Sequence, residues 1–344
     1  MIDNKEVLLN KEKNSINGPE KFDQFYYGHG KLLLSGEYFV LDGAKSLAVP
    51  TTVGQSMGVR YGQSFSPKLT WKSFDVNGNL WFEGQFEFWQ FKCVDEVVSE
   101  ESLVIQKLLL QARAQNKHFL REHQDVYVET QLGFPLSWGL GSSSSLIHNI
   151  AQWAYISPFE LLFNTFDGSG YDVACAQSDG PITYEKNISG PKWGPTTFMP
   201  SFMDKLSFIY LGNKQSSIEG IKLYRSKERA SIHIINEVSK LTGQMMKAKT
   251  LTDFCDALEK HEKIVGDFLG LEPVKTKYFS DFNGSIKSLG AWGGDFILVS
   301  SDESFDNVKK YFAEKGHNVV FTYDELILKT PSLMPNHDCG HQVH

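Results

Sequence analysis

A run of glycines and serines separates a predicted strand from a predicted helix. The strand covers residues 125–130, where Val126 and Val128 alternate with polar side chains. The run consists of Gly139, Leu140, Gly141, Ser142, Ser143, Ser144 and Ser145. Glycines permit positive φ angles and close backbone approach, and the unpaired N–H groups at a helix start attract anions. Serine hydroxyls can add donors to a phosphate or a ligand to Mg²⁺. The pattern predicts a phosphate-binding loop at the start of an amphipathic helix that runs to about Tyr155.

A simpler interpretation of the same run is a glycine–serine turn with a serine N-cap. Four consecutive serines at a helix start argue against it, because serine hydroxyls compete for backbone hydrogen bonds. A run that opposes local helix propensity indicates a functional constraint.

The length and charge of the chain narrow its partners. A chain of 344 residues with 41% hydrophobic residues predicts two domains that share a cleft. The formal net charge is −7, from 34 basic and 41 acidic residues, and no cluster of Lys and Arg stands out. We therefore expect a small-molecule substrate, with neither nucleic acid nor an anionic membrane as partner.

The cysteines and the N-terminus bear on the compartment. The four cysteines form no CxxC pair, which favours a reducing environment. Residues 1–21 lack the apolar core of a signal peptide, and no apolar run approaches the roughly 20 residues of a membrane helix. These patterns predict a soluble cytoplasmic protein.

The order of predicted elements indicates an α+β fold. The first third is rich in strands, with an Asn77-Gly78 hairpin turn, and a helix follows the capping residue Ser99. Glycines and prolines cluster over residues 190–200, which predicts a junction between domains. Beyond it we expect strands at 206–211, 295–299 and 319–321 and helices at about 226–247, 251–269, 273–288 and 304–315.

Two ionisable residues stand beside glycines in further segments. Lys31 follows Gly28-His29-Gly30 at the head of an apolar strand, and Asp172 follows Ser169-Gly170. Read singly, Lys31 is a solvated charge at a strand end and Asp172 is a helix N-cap. A third segment, GAWGGD at residues 290–295, reads alone as a loop before a strand.

Together these segments resemble the GHMP kinase superfamily, named for galactokinase, homoserine kinase, mevalonate kinase and phosphomevalonate kinase. GKLLLSGEYFVLDGAKSLAVPT at residues 30–51 resembles the opening of mevalonate and phosphomevalonate kinases. GLGSSSS at 139–145 resembles the superfamily's phosphate loop, and SGYDVA at 169–174 the stretch that holds the catalytic aspartate. GAWGGD resembles the C-terminal glycine motif. The four segments occur in family order, and the Gly-Tyr-Asp sequence marks a divergent branch.

The resemblance implies a two-domain α+β architecture, with an N-terminal domain like ribosomal protein S5 domain 2 and a ferredoxin-like C-terminal domain. We place a leader at residues 1–24, the ATP-binding domain at 25–195, the second domain at 196–335 and a tail at 336–344. The active site would lie between the domains, with ATP and Mg²⁺ as cofactors. The state of assembly would be a monomer or a homodimer.

The resemblance also assigns roles to individual residues. Asp172 matches the catalytic aspartate, Lys31 the lysine near it, and Ser143 the magnesium-binding serine. Glu160 is the acid on the expected side for the magnesium-binding glutamate, one position from the aligned place. The expected substrate-binding residues are Glu37, Tyr38, Gly293 and Gly294.

Two features depart from the family pattern. Asp172 lies only 30 residues beyond Ser142, so one helical element of mevalonate kinases is missing or shortened. Trp292 replaces a small residue of the C-terminal glycine motif, which would narrow that loop.

The motifs leave the acceptor open. Glu37-Tyr38 resembles phosphomevalonate kinases, whereas the spacing from Glu37 to residues 47–50 resembles mevalonate kinases. Lys45 is a candidate for contacting a phosphorylated substrate, or simply a solvated lysine. The prediction is a kinase of a mevalonate-pathway compound. The alternatives are a kinase of a sugar or an amino alcohol, an enzyme like diphosphomevalonate decarboxylase, and a nucleotide-binding protein without catalysis.

The end of the chain carries a possible set of metal ligands, His337, Cys339, His341 and His344. Imidazole and thiolate suit a soft divalent metal. A position at a chain terminus without supporting neighbours argues against a metal site.

Overall fold

The computed structural model describes residues 21–121, 124–212, 217–292 and 295–329. Its strands form two sheets. The strands of the described residues are β1 (Gln24–Ser35), β2 (Ser46–Gly62), β3 (Leu69–Phe74), β4 (Leu80–Phe86), β5 (Asp125–Leu132), β6 (Ile182–Asn187), β7 (Gly190–Pro195), β8 (Leu206–Tyr210), β9 (Ser285–Ser288), β10 (Phe296–Ser300) and β11 (Val320–Thr322). The larger sheet has the order β4-β3-β5-β2-β6-β7, with β1 paired to β2, and the smaller has the order β11-β8-β10-β9. The pairs are antiparallel except β3 with β5, which is parallel.

Helices lie between and after the strands. Those of the described residues are α1 (Glu100–Gln115), α2 (Ser142–Ala154), α3 (Pro158–Thr165), α4 (Tyr171–Ala176), α5 (Ser217–Ser226), α6 (Ile232–Lys247), α7 (Leu251–Leu269), α8 (Val274–Tyr278), α9 (Phe305–Glu314) and α10 (Tyr323–Leu326). No helix in these ranges is both long and apolar enough to cross a membrane.

Local signals predicted several of these elements. Gly78, with φ 79°, turns the chain between β3 and β4, and the Ser99 hydroxyl caps α1 by accepting the Ser102 N–H. The helix predicted at 251–269 is α7, whose Thr250 hydroxyl accepts the Asp253 N–H. The predicted α+β class is confirmed.

Three predicted elements were wrong in detail. The helix expected at 273–288 ends at Tyr278, and after Gly284, with φ 155°, the chain forms strand β9. The glycine- and proline-rich segment expected to join the domains supplies β7, which pairs with β6. The helix expected at 226–247 begins later, because Ser231 caps α6.

The two sheets share one apolar core. A single buried cluster joins Leu32 of β1 and Trp138 with Phe208 of β8 and Leu258 of α7. The last described residues also contact the larger sheet: Thr51 of β2 forms an antiparallel bridge with Ile327. The division at residues 195 and 196 stays a prediction.

Candidate active site

A cleft of about 590 Å³ brings residues of all four predicted motifs together. Its wall includes Lys31, the glycine–serine loop and Asp172. Gly290 and Ala291, from the C-terminal glycine segment, lie on the same wall. Lys31 and Gly290 are each more than 100 residues from the central two motifs, so only the fold brings the four together.

Two larger grooves lie elsewhere but carry less chemistry. The groove of about 780 Å³ crosses the outer face of β2 to β5, and Lys72 and Glu83 on its wall pair at 3.1 Å. The groove of about 720 Å³ lies between α6 and α7, where Lys240 pairs with Glu237. Neither contains a residue of the predicted motifs.

The glycine–serine loop has the backbone shape expected of a phosphate loop. Gly139 and Gly141 have φ angles of 66° and 93°, a left-handed conformation that a side chain would strain. The hydroxyls of Ser144 and Ser145 lie 2.9 and 3.0 Å from the Gly141 carbonyl oxygen, to which they donate, so they brace the loop. Ser142, Ser143 and Ser144 line the cleft. Ser144 therefore braces the loop and lines the cleft, Ser145 braces it from behind, and Ser142 and Ser143 belong to the cleft lining.

Lys31 lies beside an irregularity in the pairing of β1 with β2. The register shifts between His29 and Lys31, because residues 51–53 of β2 lie opposite Gly30 alone. A β-carbon on Gly30 would collide with the Thr51 hydroxyl. The Lys31 N–H donates to the Leu140 carbonyl at 2.9 Å, and its ammonium donates to the Gly139 carbonyl at 2.9 Å. Lys31 therefore holds the glycine–serine loop as well as lining the cleft.

Asp172 lies in the first turn of the short helix α4, half-buried on the cleft wall. The helix begins after Gly170, which has a φ of 96°. A β-carbon added there would lie 2.8 Å from the Tyr184 hydroxyl, so a side chain is excluded. Asp172 is not the N-cap, since Gly170 holds that position without a side-chain hydrogen bond. Its Oδ1 accepts the Val173 N–H at 3.1 Å.

The surroundings of Asp172 adjust its acidity. Burial raises the pKa of the Asp172 carboxyl, while the positive charge of Lys31 lowers it. The Lys31 ammonium also lies 5.8 Å from the centre of the Tyr171 ring. A carboxylate with a raised pKa is a better proton acceptor, so this arrangement suits a general base.

The predicted substrate-binding residues are separated by the fold. Tyr38 lines the cleft, in a conformation with φ 60°, and its ring stacks on Tyr224 at 5.7 Å. Glu37 does not line it, because its side chain is fully buried against Lys287. Gly293 and Gly294 lie outside the described residues, as does the tail with its histidines and cysteine.

The predicted metal and phosphate contacts are also separated. Ser143 is exposed on the cleft wall. Glu160 is exposed on α3, where its N–H donates to the Ser157 hydroxyl, and it is not part of that wall. Lys45 is likewise not on the wall. Within the described ranges, no group of three or more His, Cys, Asp or Glu side chains has a metal-holding arrangement.

Trp292 does not narrow the glycine segment from within. Its side chain is 5% exposed and packs in an apolar cluster with Val265 and Leu269 of α7. The indole turns inward because Trp292 has φ 58°, a conformation rare for residues other than glycine.

Sequence reasoning missed the residues that the fold places beneath or beside the cleft. Asp295 was read as part of a loop, yet it lines the cleft and a β-carbon on Gly139 would meet its carboxylate. His261 and Glu262 lie on the apolar face of α7, near Leu258 and Val265. Ionisable residues on the apolar face of a helix are a sequence signal that could have indicated a buried polar site.

The comparisons with known proteins bear on the fold. No protein-family profile and no curated protein matches the chain. The phosphomevalonate kinase of Streptococcus pneumoniae, solved with phosphomevalonate and AMPPNP, matches with a TM-score of 0.63 at 16% identity over 87% of this chain and 99% of that one. The mevalonate kinase of Methanococcus jannaschii matches with a TM-score of 0.62 at 15% identity over 87% and 96%. The galactokinase of Lactococcus lactis, solved with galactose, matches with a TM-score of 0.59 at 13% identity over 89% and 93%.

These structures confirm the predicted two-domain GHMP kinase fold along most of the chain. At identities of 13 to 16% they speak for architecture, and the three acceptors they represent differ. The chemistry of this chain has to be argued from its own cleft.

Proposed function

We propose that this protein is an ATP-dependent kinase that transfers the γ-phosphoryl group to a small-molecule acceptor. The observation that carries the proposal is the convergence of the glycine–serine loop, Lys31 and Asp172 on one cleft. The loop offers backbone N–H groups and the cleft-lining serines Ser142 and Ser143 at the start of α2, where the helix dipole favours phosphate.

The cleft residues account for each part of a phosphoryl transfer. With a hydroxyl acceptor, Asp172 accepts the hydroxyl proton while the hydroxyl oxygen attacks the γ-phosphorus atom. The bond from that phosphorus to the bridging oxygen breaks, and ADP leaves with the electron pair. Lys31 stabilises negative charge on the transferring group, and its hydrogen bond to Gly139 keeps it aligned with the loop.

The donors on the cleft wall fit Mg²⁺. The ion is typically held by one or two carboxylates, substrate phosphates and water, and it neutralises phosphate charge when bound. Ser143 supplies a hydroxyl, and Asp172 and Asp295 supply carboxylate oxygens on the same wall. We propose Ser143 as the protein's hydroxyl ligand, with an acid from this wall completing the set in preference to Glu160.

The first candidate acceptor is mevalonate or phosphomevalonate. It is supported by the motif at residues 30–51 and by the fold shared with kinases of those compounds. A neutral polyol such as a sugar is the second candidate, and the charge of the wall favours it. The described part of the wall carries three carboxylates, from Asp167, Asp172 and Asp295, against the one ammonium of Lys31.

A coupled assay of ADP release tests the proposal. The acceptors to screen are mevalonate, phosphomevalonate, diphosphomevalonate, galactose and an amino alcohol, each with ATP and Mg²⁺. Acceptor-dependent ADP release supports a kinase, and release of carbon dioxide with diphosphomevalonate would indicate a decarboxylase. Binding of AMPPNP without turnover on any acceptor would favour a non-catalytic nucleotide-binding protein.

A variant of the loop tests nucleotide binding separately. Gly141→Val should weaken AMPPNP binding, because a β-carbon there would lie 2.7 Å from the Ser144 hydroxyl at a φ of 93°. Gly194→Val in β7 is the matched control, since no atom lies within 4 Å of its β-carbon position. Equal AMPPNP affinity in the folded variants would refute the loop assignment.

A further inference from the structure

A group of ionisable side chains is sealed in the protein beneath the cleft. Lys287 of β9 and Glu37 have fully buried side chains and form an ion pair. Glu262 of α7 lies 3.9 Å from the Lys287 ammonium, and His261 lies 3.6 Å from the free oxygen of Glu37. We call Glu37, His261, Glu262 and Lys287 the buried cluster.

Hydrogen bonds fix the state of each member. His261 Nε2 accepts the Gly36 N–H at 2.9 Å, so this histidine is neutral, and burial lowers its pKa. Glu262 Oε1 accepts both the N–H and the hydroxyl of Ser288, at 3.0 and 2.7 Å. The other oxygens of Glu37 and Glu262 find no hydrogen-bond donor among the described residues. One ammonium therefore faces two carboxyl groups that lack full hydrogen bonding.

The buried cluster is joined by short connections to two parts of the cleft lining. Glu37 directly precedes Tyr38, which lines the cleft with a φ of 60°. Lys287 lies three residues before Gly290, which follows β9 of the smaller sheet and also lines the cleft. A shift of the ion pair would move both parts of the lining, because each connection is too short to absorb it.

Neighbouring contacts fix the end of β1 and the residues that follow it. The Ser35 hydroxyl donates to Thr242 of α6 at 2.9 Å, and a β-carbon on Gly36 would collide with Ser46. Four consecutive residues, 35–38, are therefore each held by a partner. Such complete restraint of a short segment is typical of residues that position a site.

We propose that Glu37 and Lys287 are positioning residues, whose buried ion pair sets the spacing between Tyr38 and Gly290 in the lining of the cleft. The positioning role depends on the proposed function in one respect, namely that the cleft is an active site. It gives Glu37 a role other than direct contact with the acceptor.

Hydrogen exchange on the ligand-free protein tests the proposal without any assay of activity. The variants are Glu37→Gln, which keeps an oxygen that can accept from Lys287, and Lys287→Met. Amide exchange should become roughly 10-fold faster in two segments together, residues 36–40 and 289–292. Lys263→Met is the control, since Lys263 is exposed on α7 and pairs only with Asp267.

The pattern of exchange decides the outcome. Faster exchange confined to β9 and its neighbours, or spread evenly over the chain, would refute the proposal and leave a purely structural pair. Lys287→Arg should restore protection in both segments, because a guanidinium can also pair with Glu37. Failure of this arginine rescue alongside an intact fold would also count against an ion-pair role.

Kinetics give a second reading once an acceptor is found. Glu37→Gln should raise the acceptor KM about 10-fold while AMPPNP affinity stays within about 2-fold, because the phosphate loop is held separately by Lys31. An unchanged acceptor KM would overturn the positioning role. If the wild type turned over no acceptor, the proposed function would fail while the exchange experiment still decided the proposal.

Discussion

Two places in this protein bring a lysine together with carboxylates, and they differ in access to solvent. Lys31 and Asp172 lie on the wall of an open cleft, whereas Lys287, Glu37 and Glu262 are sealed inside. Burial raises the pKa of the carboxyls in both places, and a lysine opposes it in both. Only the cleft pair can meet a ligand. The comparison shows that a lysine with carboxylates can take part in catalysis where solvent and ligands reach it, and can fix the structure where it is buried.

The largest effect should come from removing the charge of Asp172. Asp172→Asn keeps size and hydrogen bonding, so turnover should fall by roughly 10² to 10⁴ with AMPPNP affinity little changed. Asp179→Asn, an exposed position shortly after α4, is the matched control. Steady-state kinetics and melting temperature should be measured for both.

A structural role for Asp172 makes a different forecast. If Asp172 only supported α4 as an acid in its first turn, Asp172→Ala would lower the free energy of unfolding by about 0.3–1 kcal/mol, and the folded fraction would keep normal turnover. Combining Asp172→Asn with Lys31→Met should be hardly worse than either change alone, because members of one catalytic group are non-additive.

Replacement by methionine should destabilise the protein far more at Lys287 than at Lys31. Lys287→Met leaves buried carboxylates without their cation and should cost about 3–5 kcal/mol of unfolding free energy. Lys31→Met loses one hydrogen bond and should cost about 0.5–1.5 kcal/mol, but it should depress turnover. Urea unfolding at pH 7.5 measures both, and equal losses would erase the distinction between the sites.

The dependence of stability on pH sharpens the comparison further. Burial, reinforced by Glu37, raises the pKa of Glu262 to about 7 despite Lys287 and the hydrogen bonds from Ser288. The folded state thus holds this proton more tightly than the unfolded state, so stability should fall as pH rises from about 4.5 to about 7.

Replacing the carboxyl of Glu262 isolates its contribution to the pH dependence of stability. Glu262→Gln should remove the decline and leave the variant about 1–3 kcal/mol more stable than wild type at pH 8. Its amide oxygen can still accept the two bonds from Ser288. Glu259→Gln, on the exposed side of α7, is the control. Parallel pH profiles of wild type and Glu262→Gln would contradict the prediction.

The smallest effect concerns the two kinds of serine in the loop. Ser144→Ala removes a brace to the Gly141 carbonyl and should lower the free energy of unfolding by about 1 kcal/mol. Ser143→Ala should leave stability unchanged and weaken binding of AMPPNP with Mg²⁺ more than binding of AMPPNP alone. Calorimetry with and without Mg²⁺ measures the difference, and an identical loss in both conditions would remove Ser143 from the metal site.

The cleft was predictable from sequence because its parts are local. Gly139, Gly141 and Gly170 each require a positive φ angle, and each stands beside the residue it positions. Such constraints act within a few residues, so motifs reveal them. The prediction that Glu37 contacts the substrate came from the same motifs, which carry no record of which way a side chain turns.

The buried cluster was not predictable, because its members come from three distant parts of the chain. Glu37 and Lys287 are 250 residues apart, and β9 was predicted as the end of a helix. Long-range pairing outweighed local propensity at residues 285–288, where β10 supplies the hydrogen bonds. Lys287 lies between the apolar residues Ile286 and Leu289, which is a weak indication in the sequence that this lysine is buried.

The bridge between Thr51 and Ile327 has a consequence for the biosynthesis of this protein. The two residues are 276 positions apart, and the Leu328 N–H also donates to the Pro50 carbonyl. At typical rates of translation, residue 327 is made tens of seconds after residue 51. During this interval part of the apolar face of the larger sheet stays exposed on the nascent chain, because the residues that cover it have not been synthesised. We expect binding of a chaperone to protect the chain most in this interval.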